Sequence, residues 1–170
     1  MSRWRQARAI ALLPGNVTVV VPALILLLLD APNIGWGLTG AGAVLVALVG
    51  VVLIGAGFAV WLWTVRLFNR LGKGTLAPWD PTAKLVVEGP YRHMRNPMIT
   101  AVVTLLLGEA IFFGSPWILA WAGLFFLANA VYFPLGEEPG LERRFGADYR
   151  DYKQAVPRWI PRRYPWRPVD

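Results

Sequence analysis

PMITAVVTLLLGEAIFFGSPWILAWAGLFFLANAVYFPL, residues 97–135, decides the fold. Two apolar runs flank Gly114-Ser115-Pro116, a turn signal. Each run approaches the ~20 helical residues that cross a ~30 Å hydrocarbon core. The spacing predicts an antiparallel helical hairpin, its first arm from Pro97 to about Phe113 and its second from about Trp117 to Leu135. Such a hairpin returns the chain to the side it left. Gly89-Pro90-Tyr91-Arg92-His93-Met94-Arg95-Asn96-Pro97 before it and Glu137-Glu138 after it therefore meet at one membrane face.

Two further apolar stretches precede the hairpin. One runs roughly from Ile10 to Leu29, interrupted by Pro14-Gly15 and Pro22, and the other roughly from Leu38 to Val65. The first is read as a span rather than a cleaved leader, since no small-residue cleavage site stands near Asp30-Ala31-Pro32. The expected fold class is an all-α integral membrane protein: about four transmembrane helices, a cytoplasmic loop over 66–96 and a C-terminal amphipathic helix in a tail over 137–170. Residues 1–170 form a single membrane domain in this reading. With 56% hydrophobic residues and a mean hydropathy of +0.47, the chain is too apolar for an ordinary soluble domain. No cysteine is present and His93 is the lone histidine, so neither a thiolate nor a histidine-rich metal centre is expected.

Basic residues orient the spans. Arg3, Arg5 and Arg8 precede the first, six lie between Arg66 and Arg95, and eight lie between Arg143 and Arg167; these are all 17 in the chain. The Asp30–Trp36 loop and the Gly114–Pro116 turn have none. The positive-inside rule then places both termini and the central loop in the cytoplasm of a multi-pass protein of the cell (inner) membrane. The net charge of +7 is read as attraction to anionic headgroups of the bilayer, not to nucleic acid.

Chemistry-bearing residues concentrate in the two brackets. Asn96-Pro97 is a good helix start, with Asn96 as N-cap and Pro97 at the first helical position. Tyr91, Arg92, His93 and Arg95 gather aromatic and polar groups beside it, although no orienting partner for His93 is legible. Glu137-Glu138, adjacent carboxylates at a helix end, repel each other and the carbonyl dipoles, so cations or hydroxyl donors are expected around them. Leu141, Phe145, Tyr149, Tyr152 and Val156 form one helical face, read as a lid stopped by Pro157. Arg158 to Pro168 reads as an interfacial anchor. A short extended piece is expected at Lys84–Val87 within a polar loop from Asn69 to Glu88. Glu109 lies near the outer end of the third span, Asn129 is read as helix–helix glue to Thr100 or Thr104, and the Gly55-Ala56-Gly57 run as a packing site.

Taken together, Gly89-Pro90-Tyr91-Arg92, Arg95-Asn96-Pro97, Gly108-Glu109, Glu137-Glu138 and the tail from Leu141 to Pro161 resemble the isoprenylcysteine carboxyl methyltransferase family and its phospholipid methyltransferase relatives. The resemblance covers roughly residues 70 to 161. It implies a membrane-embedded enzyme using S-adenosylmethionine as cofactor in a cytoplasm-facing pocket, with a lipid or other amphiphilic acceptor. By that resemblance Tyr91, Arg92, His93, Arg95, Asn96, Pro97, Glu137, Glu138, Tyr149 and Tyr152 would bind the cofactor, and Arg95, Asn96 and Arg158 are the candidate catalytic residues. Family members commonly carry Arg-His-Pro and a tyrosine two positions on. This chain has Arg95-Asn96-Pro97 and then Ile99, and an amide cannot shuttle a proton. A membrane reductase using NADPH, of the sterol-reductase type, and a non-catalytic membrane scaffold stand as alternatives.

Overall fold

In a computed structural model, the chain is described over residues 11–29, 31–72 and 85–167. Those residues are helical wherever they are regular, and none is in a strand. A wide π-type stretch, Ala11–Val20, leads into helix α1 (Val21–Leu28); α2 spans Gly40–Leu67, α3 Pro97–Phe113, α4 Pro116–Tyr132 and α5 Glu138–Ala155. A second wide turn, Phe133–Glu137, joins α4 to α5 without a break in the helical path. Two helical runs are long and apolar enough to cross a membrane, Gly40–Leu67 and Pro116–Ala155; Pro14–Leu28 and Pro97–Phe113 are shorter apolar helices.

The hairpin forms as the turn chemistry dictates. Gly114 takes a left-handed conformation (φ 63°) that ends α3, and its backbone lies against the Asn33 carbonyl, where a side chain has no room. Ser115 then caps α4, its hydroxyl accepting from the Ile118 N–H at 3.3 Å.

Helices α2 and α3 pack backbone to backbone. A Cβ at Gly57 would lie 2.7 Å from the Ala101 carbonyl oxygen, and one at Gly108 would lie 2.7 Å from the Ile54 nitrogen. Gly55 faces open space. Of the glycine run read as a packing site, Gly57 is therefore the contact. The first segment lies across the hairpin: Ile25 packs on Ala110 and Ile118, and the Trp121 indole donates to the Val17 carbonyl at 3.0 Å.

Several expectations are corrected. Helix α2 runs to Leu67 and a wide turn continues to Gly72, so the polar loop starts later than residue 66 or Asn69; residues 73–84 lie outside the described residues. Residues 85–87 pair in no strand, and Lys84 lies outside the described residues. Asn129 donates to the Phe125 carbonyl of its own helix at 2.8 Å, and Thr104 donates to Thr100 of its own helix, so these groups do not glue the hairpin. In apolar surroundings a local carbonyl satisfies a short polar side chain without any partner helix. Gly146 (φ 56°, ψ −124°) breaks α5, although Tyr149, Tyr152 and Val156 still share one buried face with partly buried Leu141 and Phe145.

Candidate functional site

The two brackets meet. Glu138, almost wholly buried, accepts from Arg95 Nη1 at 2.7 Å and from Arg158 Nε at 2.7 Å and Nη2 at 3.0 Å, with Lys153 Nζ at 3.5 Å. Burial alone would raise its carboxyl, but the Arg158 hydrogen bonds and the charges of Arg95, Arg158 and Lys153 outweigh it and hold the group below its ordinary value. For Glu138, the expected cations are thus supplied by the chain. Lys153, in the last turn of α5, is one of them.

Glu137 differs. Burial, then the neighbouring Glu138 charge, push its carboxyl up to about 7, and among the described residues it forms no ion pair. Tyr149 stands close to Arg95 and both glutamates; burial first, then Glu138, raise its hydroxyl to about 12 against a hydrogen bond from Arg95.

Asn96 occupies the N-cap position of α3, but its side chain makes no cap bond, which corrects the expected capping role. Its Nδ2 and the Nε of Arg95 are buried and meet no partner among the described residues. Two orphaned donors on consecutive residues are costly unless a ligand satisfies them. They suit the carboxylate or ring acceptors of a zwitterionic cofactor, while Glu137 supplies an acceptor for its ammonium or hydroxyls. The donor set fits S-adenosylmethionine.

The lid folds over the first bracket. The Tyr152 hydroxyl donates to the Tyr91 carbonyl at 2.7 Å, and burial raises both phenols well above their usual range. The chain beyond α5 runs back along residues 92–96 as a strap, beyond the expected role of membrane anchor. Arg95 N donates to the Pro157 carbonyl, Asn96 N to Arg158, Arg162 N to His93 and Trp166 N to Arg92. No periodicity announces this strap, so sequence reasoning missed it.

The candidate residues separate into two groups. Arg95, Asn96, Glu137, Glu138, Tyr149 and Arg158 gather at the cluster, with Tyr91 and Tyr152 bracing it. Arg92 instead turns to the Val87 carbonyl at 3.4 Å. His93 and Pro97 line a separate groove of about 350 Å³ between α2 and α3, whose walls include Gly57, Trp63, Thr100 and Thr104 and whose rim includes Pro161.

Among the described residues, an all-helical fold with membrane-length helices and a charged cluster at the open end of a hairpin defines the class. Residues 45–148 match the phospholipid methyltransferase family, and the chain belongs to it. Methanethiol S-methyltransferase 2 of Bradyrhizobium diazoefficiens is 37% identical over 85 residues, which cover 46% of this chain and 33% of that protein. The match thus spans about a third of that relative's length. An uncharacterized protein of Haemophilus influenzae is 37% identical over 65 residues, 37% of this chain and 100% of that protein. The family match takes in both brackets and ends before Tyr149, so the second half of the lid and the strap lie beyond it.

Proposed function

We propose that this protein is an S-adenosylmethionine-dependent methyltransferase acting on a lipid or other amphiphilic acceptor at the cytoplasmic face of the cell (inner) membrane. The observation that carries this reading is the pair of orphaned donors on consecutive residues, Arg95 Nε and Asn96 Nδ2, in a member of a methyltransferase family. Those two groups and Glu137 would hold the cofactor, with Tyr149 close to Arg95 and Glu138 fixing Arg95 and Arg158 around the site. The cofactor, when bound, supplies a methyl group on positively charged sulfur.

The chain's own contribution is alignment and exclusion of water, which together account for most of what such a transfer requires. Arg158, held on Glu138, ties the strap across the site. Glu137, in its partly desolvated position, gains from a cationic partner. The four-span topology with loop 66–96 and both termini in the cytoplasm belongs to the same proposal, and the distribution of all 17 Lys and Arg residues supports it.

Binding of radiolabelled S-adenosylmethionine to the purified protein in detergent, with NADPH as competitor, tests the reading. Saturable binding unaffected by NADPH is expected. Absence of binding together with clear NADPH binding would overturn it in favour of a reductase.

A further inference from the structure

The groove between α2 and α3 carries chemistry that the cofactor cluster does not use. Among the described residues its lining contains no Lys, Arg, Asp or Glu, and His93 is the single ionisable side chain. The hydroxyls of Thr100 and Thr104 are committed to the carbonyls of Asn96 and Thr100, at 3.1 and 2.8 Å. The groove therefore offers little to a charged headgroup. At about 350 Å³ it lies at the small end of ligand pockets, about 300–1,000 Å³.

His93 is oriented from the strap. Its Nδ1 lies 2.9 Å from the Arg162 carbonyl oxygen, and the Arg162 N–H donates to the His93 carbonyl at 2.9 Å. A carbonyl only accepts, so Nδ1 carries the hydrogen and the neutral ring keeps its lone pair on Nε2. Two of its lining residues connect it to Asn96 along the chain: Pro97 follows Asn96 directly, and the Thr100 N–H donates to the Asn96 carbonyl.

We infer that this groove holds an uncharged, apolar acceptor bearing a thiol, and that His93 Nε2 takes the thiol proton during transfer. The inference rests on the methyltransferase reading. The S–H bond of the acceptor breaks and its proton passes to Nε2; a sulfur electron pair forms the new bond to the methyl carbon. The carbon–sulfur bond of the sulfonium donor breaks with its pair left on the donor sulfur, and the imidazolium returns its proton to water. A thiol suits the site better than an amine. It is uncharged at neutral pH and enters an apolar groove without a counter-ion, whereas an amine enters as a cation and meets no carboxylate among the described lining residues.

The probes are 1-hexanethiol and vesicles of phosphatidylethanolamine, with the full chain in detergent or nanodiscs. Wild type is expected to methylate hexanethiol. His93→Gln should bind S-adenosylmethionine as wild type does and keep the thiol KM within about threefold. Its kcat should fall by about 10²-fold or more at pH 7, in the range of lost general-base catalysis, with the deficit shrinking as pH rises and the thiol ionises unaided. Ala56→Leu, at an exposed groove position, should raise the thiol KM with cofactor affinity unchanged.

Cofactor binding with methylation of the phospholipid amine alone overturns this inference and leaves the methyltransferase reading intact. So does a His93→Gln variant as fast as wild type on hexanethiol. Failure of wild type to bind the cofactor overturns both.

Discussion

Glu138 and Arg158 form a two-point pair, Nε to Oε1 at 2.7 Å and Nη2 to Oε2 at 3.0 Å, joining the start of α5 to the strap that follows it. Arg95 Nη1 shares Oε1 at 2.7 Å, so one carboxylate binds the bracket before the hairpin to the segment after the lid. Removing one member of a buried ion pair costs about 3–5 kcal/mol because its partners lose their counter-charge. Glu138→Gln should lose stability of that order at pH 7, read by thermal unfolding in detergent. The Glu138 carboxyl sits below its ordinary value when folded. Its stabilisation is therefore complete above the unfolded carboxylate range and lost as pH falls through the folded value, so wild type should weaken on acidification more than Glu138→Gln does.

Glu137 carries the opposite sign. With its folded value raised to about 7, the group favours the folded state below the unfolded carboxylate range and loses that contribution as pH rises through about 7. Glu137→Gln should therefore stabilise the cofactor-free protein at pH 8.5, by roughly 1–2 kcal/mol after discounting for solvent screening, and leave it unchanged at pH 4. Cofactor affinity should fall in the same variant. Equal stability of the two proteins at pH 8.5 would contradict the burial argument.

Asn96→Leu separates ligand binding from stability. The substitution removes a buried donor that the folded chain leaves unsatisfied, so the melting temperature should hold or rise. Loss of a hydrogen bond to the cofactor should weaken its binding about tenfold, measured by equilibrium dialysis. A lower melting temperature with unchanged affinity would make Asn96 a structural residue.

Gly57 and Gly55 make a matched pair. Gly57→Ala forces a Cβ to within 2.7 Å of the Ala101 carbonyl oxygen and should cost roughly 1–3 kcal/mol, whereas Gly55→Ala points into open space and should be neutral or slightly stabilising. Unfolding of both variants by the same assay checks the contrast.

How much of this was legible depended on the physical range of the signal. The hairpin was read closely, because Pro97, Gly114, Ser115 and Pro116 act on backbone angles within a few residues. Convergence of the brackets carrying Arg95 and Glu138 followed from the hairpin's geometry, whereas Arg158 entered the site only through the family resemblance. What was missed acts at long range or against local preference. Asn96 stands at a cap position without capping, and Asn129 turns to its own helix. The Arg162 carbonyl that orients His93 lies 69 residues away in a segment without periodicity. Gly146 breaks a helix whose apolar spacing continues across it.

The close contact of α2 on α3 bears on how this scaffold can diversify. At Gly57 the groove is bounded by main chain resting on main chain, and such a wall cannot recede by a change of rotamer. Its depth is a fixed measure, set when two helices touch. Selection for a bulkier acceptor would have to work on exposed lining side chains of the same helix, such as Ala56 or Trp63, which can change without parting the helices. In this scaffold the backbone contact acts as a ruler, and the exposed side chains near it are free to vary.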